Sequence, residues 1–244
     1  VDAASFARVG AFLGAGVCVG LGAIGAALGE GYAARATVEG IARQPRASAG
    51  LLRTMLVGQA VAESASIFAL VVGFLLLFTP WSAGDHVEGV ALFSAGLCMG
   101  VGALGPGFGA GHAAAMACQG LARQPQAAQP LTTVMLVGQA VAQTPAVFAL
   151  LVSFLILFRD YGGRASPLVA SAALLGAAVA TGVGAVGPGV GAGSAASAAC
   201  DATSRNRDQA PALLRTMLVG QAVSQSTSIY ALVVSLLLLY VPFL

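Results

Sequence analysis

The chain has 244 residues, 58% hydrophobic and 8% charged, with a formal net charge of +2 and a mean hydropathy of +0.89. Those values exclude an ordinary soluble domain and fit a membrane protein. All 11 basic residues are arginine, none clusters with interleaved aromatics, and nucleic acid is therefore not expected as a partner.

The first stretch, VDAASFARVG, lacks the basic-then-apolar-then-cleavage order of a secretory signal. It runs into a helix expected over 6–42, which contains GAGVCVGLGAIGAALG at 14–29. Small residues four apart, Gly14, Cys18 and Gly22, let helix backbones approach closely in lipid. A polar turn follows, then a second helix over 50–78, then an acidic linker over 79–89. The pattern then starts again. TMLVGQAV at 54–61 returns as VMLVGQAV at 134–141 and TMLVGQAV at 216–223, at offsets of 80 and 82 residues. Further helices are expected over 88–122, 129–158, 166–201 and 210–241, each longer than the ~20 residues that cross a bilayer. The fold class is all-α membrane protein: six transmembrane helices in three tandem hairpins, with units at 1–80, 81–162 and 163–244.

Eight arginines (35, 43, 46, 53, 123, 205, 207 and 215) fall in or beside the turns within hairpins. Three (8, 159 and 164) fall on the other side, so the turns are expected in the cytoplasm and both termini outside. The glycine-rich first helices also match GxGxxG, but no strand precedes them, which rules out a dinucleotide fingerprint. The four cysteines and two histidines have no metal-binding spacing. His86 and His112 lack a catalytic partner, so packing or solvated roles are expected for both, and no catalytic site.

The chemistry concentrates in one acid. Glu63 lies near the middle of its helix, where a bare carboxylate costs at least ~2.5–3.5 kcal/mol. It must be paired, protonated or cation-bound. Glu30 lies 15 residues before Pro45, and Glu63 lies 18 residues after it. At ~1.5 Å per residue both sit roughly 22–27 Å from the turn, so they can be neighbours that share a proton or a cation. The equivalents of Glu63 are Gln143 and Gln225, and those of Glu30 are Ala110 and Ala192. Glutamine has the shape of a protonated acid and never charges. Hairpins 2 and 3 keep the shape of the site and lose its charge. Gln59, Gln139 and Gln221, one turn before, could serve the site or bond between helices.

The glycine-rich first helix, GEGYAARATVEGIARQP at 29–45, LARQP at 121–125 and GQAVAES at 58–64 resemble the proteolipid c subunit of rotary ATP synthases, tripled. The likeness covers essentially the whole chain. Hairpin length and the ARQP turn resemble the F-type; the loss of acids resembles the V-type. It implies a homo-oligomeric rotor ring in lipid, in the cell's inner (plasma) membrane. A stator a subunit with an essential arginine would face it. Central-stalk subunits would meet the turns at Arg43, Gln44, Pro45, Arg123, Gln124 and Pro125, while the third turn, SRNRD at 204–208, departs from that pattern. No cofactor is implied; the cargo is Na+ or H+, with Na+ favoured. The sodium-type pattern is kept at Val61, Glu63 and Ser64, with Glu30 in place of a glutamine and Phe68 in place of a tyrosine. The remaining ligands come from a neighbouring hairpin. Val141 and Thr144 are expected, because Pro145 has no N–H to give the Val141 carbonyl. If the ring runs the other way, Val223 and Ser226 of an adjacent chain serve instead. A transporter or channel of repeated hairpins is the rival reading.

Overall fold

The computed structural model describes residues 2–81, 86–159 and 166–240. Asp85 of the acidic linker and Arg164 of the charge comparison lie outside the described residues. Among those described, six apolar segments are long enough to cross a membrane: Ala3–Arg43, Pro45–Phe78, His86–Arg123, Pro125–Leu157, Pro167–Arg205 and Arg207–Tyr240. The expected six-span helical fold is borne out. We name the helices α1 (Ala3–Arg43), α2 (Ser48–Phe78), α3 (His86–Arg123), α4 (Ala128–Ala142), α5 (Thr144–Leu157), α6 (Pro167–Arg205) and α7 (Ala210–Tyr240).

The helices lie in two rows. The first helices of the hairpins pack side by side in the order α1, α3, α6. The second helices cover the grooves between them. α2 lies over α1 and α3, α4 and α5 lie over α3 and α6, and α7 lies chiefly on α6. The middle of the array is therefore buried and both of its ends are open. In the most apolar stretch of α3, 67% of residues are buried, against 22% in the segment containing α7. The large side chains that remain exposed, such as Phe12, Leu56, Phe74 and Val219, are suited to lipid.

Small residues make the first row possible. A side-chain carbon added at Gly29 would lie 2.8 Å from the Gly107 carbonyl oxygen, and one at Gly100 would lie 2.8 Å from that of Val17. Neither backbone can retreat without breaking a helix, so glycine is required at these close approaches. Hydroxyls and thiols tie the rows together. Ser66 Oγ donates to the Gly22 carbonyl at 2.9 Å, and Ser153 Oγ donates to that of Ala95 at 2.9 Å. Ser235 Oγ donates to the Ala177 carbonyl at 2.8 Å. All four cysteines are buried, and the Cys18 thiol donates to the Ala69 carbonyl. His86 packs edge-on against Phe6, and His112 stacks on Phe108.

One expected helix is divided. The span expected over 129–158 stops at Ala142 and resumes at Thr144. Pro145 supplies no N–H to the Val141 carbonyl, so the ladder opens at Gln143. Pro106 and Pro188 sit inside unbroken helices.

The three turns share one form. Gln44, Gln124 and Asn206 leave the first helix with similar dihedrals, and a single tight turn follows each. Ala47, Ala127 and Gln209 then donate their N–H groups to the carbonyls of Gln44, Gln124 and Asn206. The third turn thus keeps the backbone of the others despite its different residues.

The Gly100→Leu variant is expected to lose at least about 1–3 kcal/mol through overpacking against the α1 backbone. Phe74→Leu, on an exposed face, should stay within about 0.5 kcal/mol of the parent. Thermal loss of helicity in detergent measures both.

Candidate functional site

Two rows of side chains on the second helices define the site. The first row is Gln59, Gln139 and Gln221. Gln139 Nε2 donates to two carbonyls at 2.8 Å: Ala110 of its own hairpin and Gly58 of hairpin 1. Gln221 Nε2 repeats this at 2.9 Å, to Ala192 of its own hairpin and Gly138 of hairpin 2. Both glutamines are fully buried. Gln59 Nε2 makes only the contact within its own hairpin, to the Glu30 carbonyl at 3.0 Å. Because that bond joins the helices at the level of Glu30, it fixes the register of α1 on α2.

The second row, one turn further on, is Glu63, Gln143 and Gln225. Gln143 Nε2 donates to the Val61 carbonyl at 2.9 Å. Gln225 Nε2 donates to the Val141 carbonyl at 3.0 Å. Each glutamine therefore reaches back to the preceding hairpin, and each is buried, at 8% and 7% exposure. Among the described residues, hairpin 1 stands at the start of the row. Glu63, at the same position, is accordingly exposed.

Glu30 and Glu63 lie within electrostatic range of one another. Ser64 Oγ turns back to the Ala60 carbonyl at 3.4 Å. Val61 offers its carbonyl to Gln143 rather than to the acid two residues on. The structure does not bring Val141 to Glu63. The carbonyl opened by Pro145 faces hairpin 3, where Gln225 occupies it. Thr144 follows Gln143 at the start of α5, half-buried in hairpin 2. The physical reason is direction: Gln143 and Gln225, the equivalents of position 63, reach backward along the chain, whereas Val141 and Thr144 lie forward of Glu63. The carbonyl that would stand to Glu63 as Val61 stands to Gln143 is that of Val223. Val223 is 70% exposed, and its carbonyl accepts from Ser226 Oγ at 2.7 Å.

At the turns, the Arg43 side chain is exposed and lies near Glu39, its Nη2 3.8 Å from the carboxylate. Arg123 reaches across to Asp201 and Ser204 of hairpin 3, so it is a tie between hairpins and not only an exposed cation. Gln44, Gln124 and Pro125 are half-buried at their turns, and Pro45 is exposed.

Sequence reasoning named the Gln59 row without deciding its role. Its signal was recurrence at both repeat offsets; the donation to two hairpins at once becomes visible only in the packed array.

Paired helices crossing the bilayer, small residues between them, and a carboxyl at mid-span beside neutral equivalents define a membrane proteolipid of repeated hairpins. The ATP synthase C-subunit family matches this chain three times, over residues 13–76, 93–156 and 175–238. The chain belongs to that family and is an integral membrane protein. It is similar to the ATP synthase c subunit of Thermotoga maritima, 47% identical over 78 residues, which are 30% of this chain and 92% of the relative. It is also similar to the ATP synthase c subunit 2 of Cereibacter sphaeroides, 49% identical over 71 residues, 29% of this chain and 86% of the relative. The ATP synthase c subunit of Prochlorococcus marinus is 49% identical over 74 residues, 30% of this chain and 91% of the relative. Each relative has about the length of one hairpin here.

The neutral sites make a prediction. In the Gln143→Glu variant the introduced carboxyl faces the Val61 carbonyl, which it can tolerate only with a proton or a cation in place. The group's affinity for its proton is raised by folding, so stability should be highest at acid pH and fall as pH rises. The expected loss at alkaline pH is about 1–3 kcal/mol. Gln143→Leu should show no such slope. Thermal unfolding in detergent across pH, without added alkali cation, reads the difference.

Proposed function

We propose that the chain is the ion-carrying subunit of a rotor ring in a rotary ATP synthase or ATPase. Glu63 is the group that loads and releases the ion, with Glu30 beside it. The observation that carries this reading is the contrast within one repeated position. Gln143 and Gln225 are tied to a neighbouring carbonyl by their own amides, while the acid alone stands at the open edge with a second acid at its level. A neutral amide needs no cargo. A carboxylate at that depth does.

Loading cancels the charge, so the loaded carrier can face lipid and the unloaded one cannot. A stator arginine would hold the unloaded carboxylate, and central-stalk subunits would grip the turns. The ring would lie in the cell's inner membrane with those turns in the cytoplasm. Na+ is favoured over H+ because the available ligands are oxygens: the carboxyls of Glu63 and Glu30, with a carbonyl and a hydroxyl from a neighbour. The backward direction of Gln143 and Gln225 favours Val223 and Ser226 of an adjacent chain as that neighbour. Their carbonyl and hydroxyl lie together at the end of the array.

One carrier serves three hairpins. An ion crossing 200 mV releases about 4.6 kcal/mol. Few carriers per turn give little energy per ATP made but can pump against a steep gradient, so the working direction is ATP-driven pumping.

Carbodiimide labelling of the purified complex should modify Glu63, and Na+ at neutral pH should slow it at least tenfold. Absence of protection by Na+, with faster labelling at lower pH, would assign protons instead. Glu63→Gln should abolish ATP-driven cation uptake in reconstituted vesicles; uptake at the parent rate would overturn the carrier role. Vesicles of the parent complex should make little ATP at an ordinary ion gradient.

A further inference from the structure

The faces of α1 and α3 turned away from α2 carry a polar pocket that ion carrying does not use. Gly22 of α1 and Ala114 of α3 meet α2, at Ala69 and Gly58. Ile24 lies two residues after Gly22, and His112 two residues before Ala114. Two residues are about 200° of helical turn, so Ile24 and His112 lie on the opposite face. From Ile24 a stripe continues along α1 through Leu28, Tyr32, Arg35 and Glu39. On α3 the matching stripe is Leu104, Phe108, His112, Met116 and Gln119. The Tyr32 ring joins the two, with its centroid 5.8 Å from that of Phe108 and 6.3 Å from that of His112. The stripes change character along their length. Ile24, Leu28, Leu104 and Phe108 are apolar, and the first two are exposed. Nearer the turn, Tyr32, Arg35, Glu39, His112 and Gln119 line a cavity of about 250 Å³ together with Ala36, Ala115 and Met116. Pockets that enclose a whole small molecule run to ~300–1,000 Å³, so this one suits a head group.

The polar lining has donors to spare. Arg35 uses Nε on Glu39 Oε1 at 2.8 Å, and its two terminal amino groups bond to no other described residue. The Tyr32 hydroxyl, the His112 ring and the Gln119 amide also make no hydrogen bond among the described residues. Arg43 lies 3.8 Å from Glu39 as well, so two guanidinium groups stand against one carboxylate and one positive charge is left over. Arg35 is the first basic residue of α1 after Arg8, which sets it where the helix leaves the apolar layer. The combination belongs to one junction. The repeat equivalents of Tyr32 and Arg35 are His112 and Ala115, then Ser194 and Ser197. The α3–α6 junction therefore has no cation at this level, and its acid, Asp201, is held by Arg123 and Arg205.

We propose that this pocket binds the head group of one anionic phospholipid per chain, of the phosphatidylglycerol class. The single negative charge of its phosphodiester matches the single positive charge left at the pocket. The Arg35 terminal amino groups take the phosphate oxygens, a pairing that guanidinium geometry favours. The Tyr32 hydroxyl and the Gln119 amide donate beside it, and Glu39 accepts from the head-group hydroxyls. The acyl chains run from the pocket along Ile24, Leu28, Leu104 and Phe108. A soluble phosphate ester would leave that apolar lane unused, which is why a lipid is the occupant.

Native mass spectrometry of the full-length protein in detergent counts the lipids each chain retains. After equal exposure, phosphatidylglycerol should be held about tenfold more than phosphatidylcholine, to one per chain. Arg35→Gln should lower that retention about tenfold, the worth of a hydrogen-bonded charge, with helicity by circular dichroism unchanged. Glu39→Gln breaks the same ion pair and keeps the cation, so it should hold phosphatidylglycerol at least as well as the parent. Arg53→Gln, at an exposed cation of α2, should stay within about twofold of the parent. An excess of glycerol phosphate, which has the phosphate without the chains, should not displace the lipid. The proposal is overturned if Arg35→Gln retains lipid as the parent does, or if Glu39→Gln loses it equally. Equal retention of both lipids would reduce the site to apolar contact, and displacement by glycerol phosphate would make it a site for free phosphate; either overturns it. The lipid comparison and Glu39→Gln decide the matter even where Arg35→Gln loses helicity.

Discussion

Two hydrogen bonds from a single amide, one within the hairpin and one to the hairpin before it, are the interaction on which the rest of the array depends. Gln139 and Gln221 each donate to a carbonyl on their own first helix and to one on the preceding second helix. The first bond sets the height of one helix of the pair against the other. The second sets the height of one hairpin against its neighbour. With those heights set, the glycines of the first row fall opposite backbone, and the side chains one turn further on fall opposite a neighbouring carbonyl. In lipid there is no water to complete these groups, so a misplaced register leaves polar atoms bare.

The same geometry explains how a hairpin can lose its acid and remain useful. The Gln143 amide offers an N–H to the Val61 carbonyl where a charged carboxyl would need an ion between the two oxygens. The amide supplies its own positive end. The Gln143 and Gln225 amides are each held by a carbonyl of the preceding hairpin, and Ser228 adds a further tie to the Gln225 side chain. Of the three equivalent positions, that of hairpin 1 alone carries an acid. Ala110 and Ala192, where the second acid is missing, are fully buried, which shows that those positions are now packing.

Much of this was legible in the residues. The six spans follow from length and hydropathy, and the pairing of Glu30 with Glu63 follows from a fixed rise per residue on either side of a short turn. The close first row follows from Gly14, Cys18 and Gly22 at one spacing. The direction in which Gln143 and Gln225 reach was not legible. A helix in lipid is apolar on nearly every face, so its pattern does not mark the side that meets the preceding hairpin or the following one. Pro145 announced a free carbonyl at Val141, but the sequence could not show that Gln225, 84 residues away, would claim it. The third turn was also opaque, because Asn206 and Arg207 replace the glutamine and proline of the other turns while the backbone path is kept.

The covalent joining of three hairpins has a consequence for gearing. Separate hairpins can add to an assembly one at a time, and each addition shifts the ratio of ions to rotation by one small tooth. Under the rotor reading proposed above, membership would change only in whole chains, so the circumference would grow by the three joined hairpins while the number of charged teeth would grow by one. The spacing between successive acids at this position would then be written into the polypeptide rather than set by how many copies happen to be synthesised.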